Sequence, residues 1–270
     1  MNKNCMNFHL YLKTLRDYRK STFWFFFGTI LLGLYTTGFY PTIRDSSNMI
    51  ALLEDFPEWT QAIIGDASSY ATAEGFLNLE VFEIMAPLIV AVYVITKGAD
   101  SIAREEESHT LDQLLALPVS RLSVMTQKTL AILTGTLFLC VGIWLGITAG
   151  SIMMGFNVSQ GNLGLAIMSL FVFGLATASM SICLSSSTGK RSLAAGVSGG
   201  VAIVSFLANN FGKAIETLEP VRLMSIFYYY NDNGVMVNGI NAFHFVIMLI
   251  SILILLIFGF IIFDRRDLKN

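Results

Sequence analysis

Sixty consecutive residues, Thr129 to Thr188, contain no Asp, Glu, Lys or Arg, and the run between Asp232 and Asp264 is equally free of them. A chain can sustain such runs only where its surface avoids water, because a stretch of roughly 20 apolar residues is what a helix needs to cross a bilayer. Composition agrees. Charged residues make up 13% of the 270 and hydrophobic ones 54%, whereas soluble domains carry roughly 25% charged residues. A net charge of −2, with no basic stripe interleaved with aromatics, excludes nucleic acid as a partner. Cys5, Cys140 and Cys183 are too few and too scattered for a disulfide framework or a zinc site.

The predicted fold is an all-α membrane protein, a single transmembrane domain over residues 1–270 with six transmembrane helices. The spans fall at about 22–40, 78–97, 129–153, 163–185, 193–209 and 243–263. Pro87 removes a backbone donor inside the second span, so a kink is expected there. Ahead of the first span, residues 5–20 mix Phe8, Leu10, Leu12 and Leu15 with Lys13, Arg16, Arg19 and Lys20, the pattern of a helix lying in the membrane interface and touching lipid headgroups. No small-residue cleavage site follows the first apolar run, so it reads as a retained span. Counting Lys and Arg on alternate sides gives a split of 14 to 3. By the positive-inside rule this puts both termini in the cytoplasm and requires an even number of crossings. Two longer connections, 41–78 and 212–241, fall outside; the second holds Phe227-Tyr228-Tyr229-Tyr230, suited to an aromatic belt or an ordered cap.

The longest inner connection, Lys97 to Lys128, is the most informative. Thr110 and Gln113 form a capping box at a helix start, and Pro118 ends that helix. Leu111, Leu114 and Leu115 then make an apolar stripe that either seats in a partner or tucks under this protein's own helices. The acidic triplet Glu105, Glu106 and Glu107 lies just ahead, placed for polar contact with a docking protein or for the helix start.

The run Ile102-Ala103-Arg104-Glu105-Glu106-Glu107, with Thr110-Leu111-Asp112-Gln113-Leu114-Leu115-Ala116-Leu117-Pro118-Val119-Ser120-Arg121 and then Lys128, resembles the signature of bacterial type-2 ATP-binding-cassette (ABC) exporter permeases. It departs from the pattern in having His109 where glycine is usual and Asp112 where glutamate is common. The resemblance implies a permease subunit in the plasma membrane whose cytoplasmic coupling helix, between spans 2 and 3, seats in a separate ATPase subunit. It also implies a second permease copy, identical or related, and places ATP and Mg on the ATPase, leaving this chain without a cofactor or catalysis of its own. By residue match, Glu105, Glu106, Thr110, Leu111, Gln113, Leu114, Leu115 and Arg121 are expected to make the ATPase contact. Residues 185–192 are a smaller second contact or simply carry positive-inside markers.

Other motifs carry less. Gly189-Lys190 lacks the remaining residues of a phosphate-binding loop, with Leu184 and Arg191 at the deciding positions. Gly196-Val197-Ser198-Gly199 and His244 invite an intramembrane serine protease, but the two side chains enter from opposite faces and would differ in depth by roughly 20 Å. Gly142, Gly146 and Gly150, and the small residues Ala195, Gly196, Gly199 and Gly200, mark faces for close helix packing. Glu80 and Glu83 are the ionisable pair placed to touch cargo in a translocation pathway. The contrasting class is an ATP-independent channel, secondary transporter or sensor subunit, in which the Thr110 helix is only a prop.

Overall fold

The computed structural model describes residues 3–44, 67–111 and 119–266. Among the described residues, six helices are long and apolar enough to cross a membrane. They are α1 (Lys3–Arg44), α2 (Ala73–Asp100), α3 (Arg121–Met154), α4 (Gln160–Thr188), α5 (Arg191–Ala214) and α6 (Ala242–Arg265). The leucines at 114 and 115 lie outside the described residues.

Helix boundaries follow local chemistry. Ser120, Ser159 and Asn241 accept backbone N–H bonds at the starts of α3, α4 and α6, each satisfying a donor that the first turn leaves unpaired. α4 sits at the centre, in contact with α2, α3, α5 and α6. α6 has the most apolar sequence of the six, yet only 17% of its most apolar window is buried in protein. That inverts the rule for a soluble fold and leaves Leu253, Ile254, Ile257 and Phe258 facing outwards, where lipid covers them without cost.

The glycine repeat of α3 packs against α1. Gly146 abuts Gly33, Thr29 fills the space over Gly142 and Thr37 that over Gly150, so the two backbones approach where no side chain intervenes. The small residues of α5 behave differently: Gly196, Gly199 and Gly200 each face open space.

Two expectations are corrected. The interfacial helix expected at 5–20 is not a separate element; α1 is one 42-residue helix, ~63 Å long at ~1.5 Å per residue. No glycine or proline stands between His9 and Phe27 to break it. Its early turns run along α3, where Tyr11 N–H donates to Gln127 Oε1 at 3.0 Å and the Tyr11 and Thr134 hydroxyls meet at 3.0 Å. The aromatic run after α5 is not merely a surface belt. Between α5 and α6 the chain folds into short helices, Glu219–Arg222, Ile226–Asn231 and Val235–Asn238, that dip back between the spans and bury Phe227, Tyr230 and Met236.

Three hydroxyl contacts measure the dip. Ser169 donates to the Tyr230 carbonyl (2.8 Å), Tyr230 donates to the Phe82 carbonyl (2.8 Å), and Ile226 N–H donates to Ser205 Oγ (2.9 Å). Ser169 and Ser205 each lie nine residues from the nearer end of their helix, ~14 Å down at ~1.5 Å per residue. Irregular backbone at that depth is tolerated only when protein satisfies its polar groups, as it does here.

The Tyr230 bond also explains how α2 accommodates Pro87. The helix widens to a π-helical stretch, Asn78–Met85, just before the proline, and Ala86 N–H reaches back to the Val81 carbonyl. The next carbonyl, Phe82, would take its bond from residue 87, which has no N–H. The Tyr230 hydroxyl supplies it.

Candidate functional site

The N-terminal part of α1, the C-terminal end of α2, the start of α3, the α4–α5 junction and the end of α6 gather at one end of the bundle. Leu10, Ile102, Leu111, Val124 and Phe263 form a small buried cluster there, and around it the connection leaving α2 folds into a hub.

The bend after Asp100 is held by one serine of α4. Ser185 Oγ accepts from the N–H groups of Ile102 (3.2 Å) and Ala103 (3.0 Å) and donates to the Ala99 carbonyl (2.9 Å). One turn earlier, Ser181 donates to the Ile95 carbonyl (2.9 Å). The chain then makes a short helix, Ala103–Glu107, that closes with Thr110 N–H on the Glu105 carbonyl (2.9 Å) and His109 N–H on that of Glu106 (3.0 Å). This is the paired-bond C-terminal cap that requires a left-handed residue, and His109 adopts it, with φ 54°. The glycine usual at that position in the permease pattern thus has a backbone reason.

Each acidic residue of the triplet is bound to a different span. Glu105 Oε1 meets Lys128 Nζ of α3 at 3.1 Å, and the same ammonium donates to the Ser101 carbonyl beyond the end of α2 at 2.5 Å. Glu106 pairs with Arg266 at the end of α6. Its carboxylate also lies over Gly189, where a Cβ would overlap it. Glu107 Oε1 accepts the backbone N–H of Arg191 at 2.8 Å, filling the capping role at the start of α5 that Lys190 leaves empty. Asp100, buried, pairs with the Arg191 side chain. Arg121 donates to the carbonyls of Phe263 (2.6 Å) and Arg266 (2.9 Å), a cation at the C-terminal end of α6 where the helix dipole favours it.

Burial alone would raise the pKa of Glu105, but the Lys128 charge and hydrogen bonds from Thr110 and Lys128 outweigh it and hold the carboxyl below its ordinary value. Thr110 Oγ1 bonds back to Glu105 Oε2 at 2.6 Å, and Gln113, the other half of the expected capping box, lies outside the described residues.

The chain matches a family pattern over almost its whole length: residues 9–268 fit the model of the ABC-2 family transporter proteins. The chain belongs to the ABC-2 transporter family. No curated protein matches it.

In this ABC-2 permease the residues expected at the ATPase contact divide into three groups. Glu105, Glu106, Thr110 and Arg121 come together in the hub, bonded within their own chain. Leu111 is 3% exposed and packs in the internal cluster, at the turn where the apolar ends of α1, α3 and α6 converge. Gln113, Leu114 and Leu115 lie outside the described residues. Sequence reasoning gave no site role to Asp100, Lys128 or Arg266, and it named Glu107 and Ser185 only as members of the acidic triplet and of the second inner connection. The serines at 181 and 185, four apart in an apolar helix, were the legible signal for a polar seam.

At the other end, Glu83 pairs with Lys213 of α5 and Glu80 accepts the Tyr70 hydroxyl at 3.4 Å. Ser198 and His244 share no hydrogen bond. Ser198 Oγ is buried without a partner, and the His244 ring packs on Tyr228 and Tyr229, so no base reaches the hydroxyl and the protease reading has no chemistry behind it.

Proposed function

We propose that this permease is the membrane subunit of an ATP-driven exporter, working as two permease copies with two ATPase subunits that bind the ATP and Mg. Its seat is the plasma membrane, with both termini in the cytoplasm. The observation that carries the reading is the attachment of one connection to three spans: residues 100–111 are tied to α3 through Lys128, to α5 through Arg191 and to α6 through Arg266. A push on this connection moves those helices together. Such a linkage suits a subunit driven from outside itself, and a mere prop needs no more than one anchor.

In this reading Gln113, Leu114 and Leu115 form the docking surface, while Glu105, Glu106, Thr110, Leu111 and Arg121 transmit motion. Glu83, paired with Lys213, is a strut between α2 and α5, and Glu80 is the nearer of the two to a role with cargo. The test is co-purification in mild detergent with the ATPase subunit. Leu114→Asp with Leu115→Asp is expected to release the ATPase and abolish ATP-driven export while the spans stay folded; retention of the ATPase by that double variant overturns the proposal.

A further inference from the structure

A second feature lies away from the hub. Between α4, α5, α6 and the re-entrant segment is a cavity of about 260 Å³, with Met180, Val201, Ala202, Met224, Met248 and Leu255 in its walls. Val201 and Met224, at its rim, are exposed on the outside of the bundle, so the cavity opens sideways at the depth of the spans. Ser198 lies seven residues into α5, ~10 Å from the terminal end at ~1.5 Å per residue.

Five hydroxyl-bearing residues line this space: Thr177, Ser198, Ser205, Tyr229 and Ser251. Four commit their protons or pair within the chain. Thr177 donates to the Phe173 carbonyl, Ser251 to that of Met248 and Tyr229 to that of Leu223, while Ser205 pairs with Ser225. Ser198 is different. Its side chain is fully buried, and among the described residues its hydroxyl is the one Ser or Thr oxygen that is buried without any partner. Serine in a helix ordinarily bonds back to a carbonyl of the preceding turn, so a hydroxyl held away from that bond at membrane depth lacks a partner it needs.

We infer that the cavity is a binding site for a hydrocarbon-bodied molecule carrying one hydrogen-bonding oxygen, a long-chain alcohol or acyl ester, which enters from the membrane and accepts the Ser198 proton. The committed hydroxyls keep acceptor lone pairs, so water competes at the polar end of the cavity, but it does not fill the part walled by Met, Val and Leu, where apolar space stays dry. The same chemistry has two sources, a resident bilayer lipid or transported cargo; only the second rests on the exporter reading.

The experiment uses the full permease with its co-purified partner in vesicles of phosphatidylethanolamine and phosphatidylglycerol, with a diazirine-bearing hexadecanol as probe and the matching alkane as control. The alcohol is expected to label the cavity residues. Ser198→Ala is expected to cut that labelling by about two- to tenfold, the range of one neutral hydrogen bond, down to the level of the alkane. Ala202→Phe is expected to abolish it, and Val201→Trp at the exposed rim blocks the same mouth without disturbing the packed wall. Equal labelling by alcohol and alkane in the unaltered protein, or labelling that survives both blocking variants, overturns the site. Labelling that falls on adding ATP assigns the ligand to cargo, and labelling that persists assigns it to a resident lipid. Failure of the exporter reading shows separately, as the absence of an ATPase in the purified complex.

Discussion

A single hydroxyl carries an unusual share of the membrane-buried architecture. Tyr230 donates to the carbonyl that Pro87 cannot serve and, through its own carbonyl, receives Ser169, so one residue fastens the re-entrant segment to both α2 and α4. Tyr230→Phe keeps the ring against Phe173 and removes only the bond. The expected cost is about 1–3 kcal/mol, the penalty for stranding a buried acceptor, read as a lowered midpoint of thermal unfolding in detergent. Faster amide exchange in α2 should accompany it. Glu105 offers a second residue-level test. Because its folded pKa is depressed, it contributes stability that is fully present above the pKa of the unfolded chain and lost as pH falls through the lower folded value. Glu105→Gln is therefore expected to flatten that acid-side loss of stability. It also leaves Lys128 unpaired in a site where that side chain is 5% exposed, and removing one member of a buried pair costs about 3–5 kcal/mol.

At the scale of elements, the α1–α3 seam is a contact of backbones. Gly146→Leu is expected to drive α1 off α3, since even a Cβ there meets the Ile30 carbonyl and Gly33. An engineered disulfide across the seam should form readily in the unaltered protein and poorly in the variant. This seam was legible in the sequence, because three glycines every fourth residue have few other uses in a span. The π-helical stretch was only half legible: Pro87 announced a disturbance, but not that the helix would widen or that a tyrosine 143 positions later would mend it. The hub was hidden for a related reason. Periodicity reports which face of a helix is apolar, whereas Glu105, Glu106 and Glu107 are consecutive and reach three different spans, a matter of tertiary placement that no spacing rule encodes. His109 came closest, since its mismatch with glycine pointed to the one left-handed non-glycine residue among those described.

For the whole molecule, the six spans came directly from charge-free runs, because lipid imposes that constraint residue by residue. Sidedness has a direct test. A cysteine at His109, which is exposed, in a background with Cys5, Cys140 and Cys183 replaced, is expected to react with a membrane-impermeant maleimide only in inverted vesicles, and one at Val237 only in intact cells. The reverse pattern turns the topology over and with it the exporter reading. The re-entrant segment between α5 and α6 also bears on how such a protein is made. During insertion the groove that takes Tyr230 is built before the segment reaches it, because Phe82, Ser169 and Phe173 all lie upstream on α2 and α4. The tuck therefore needs no later span to begin, and α6 arrives last to close over Tyr228 and Tyr229 with the His244 ring.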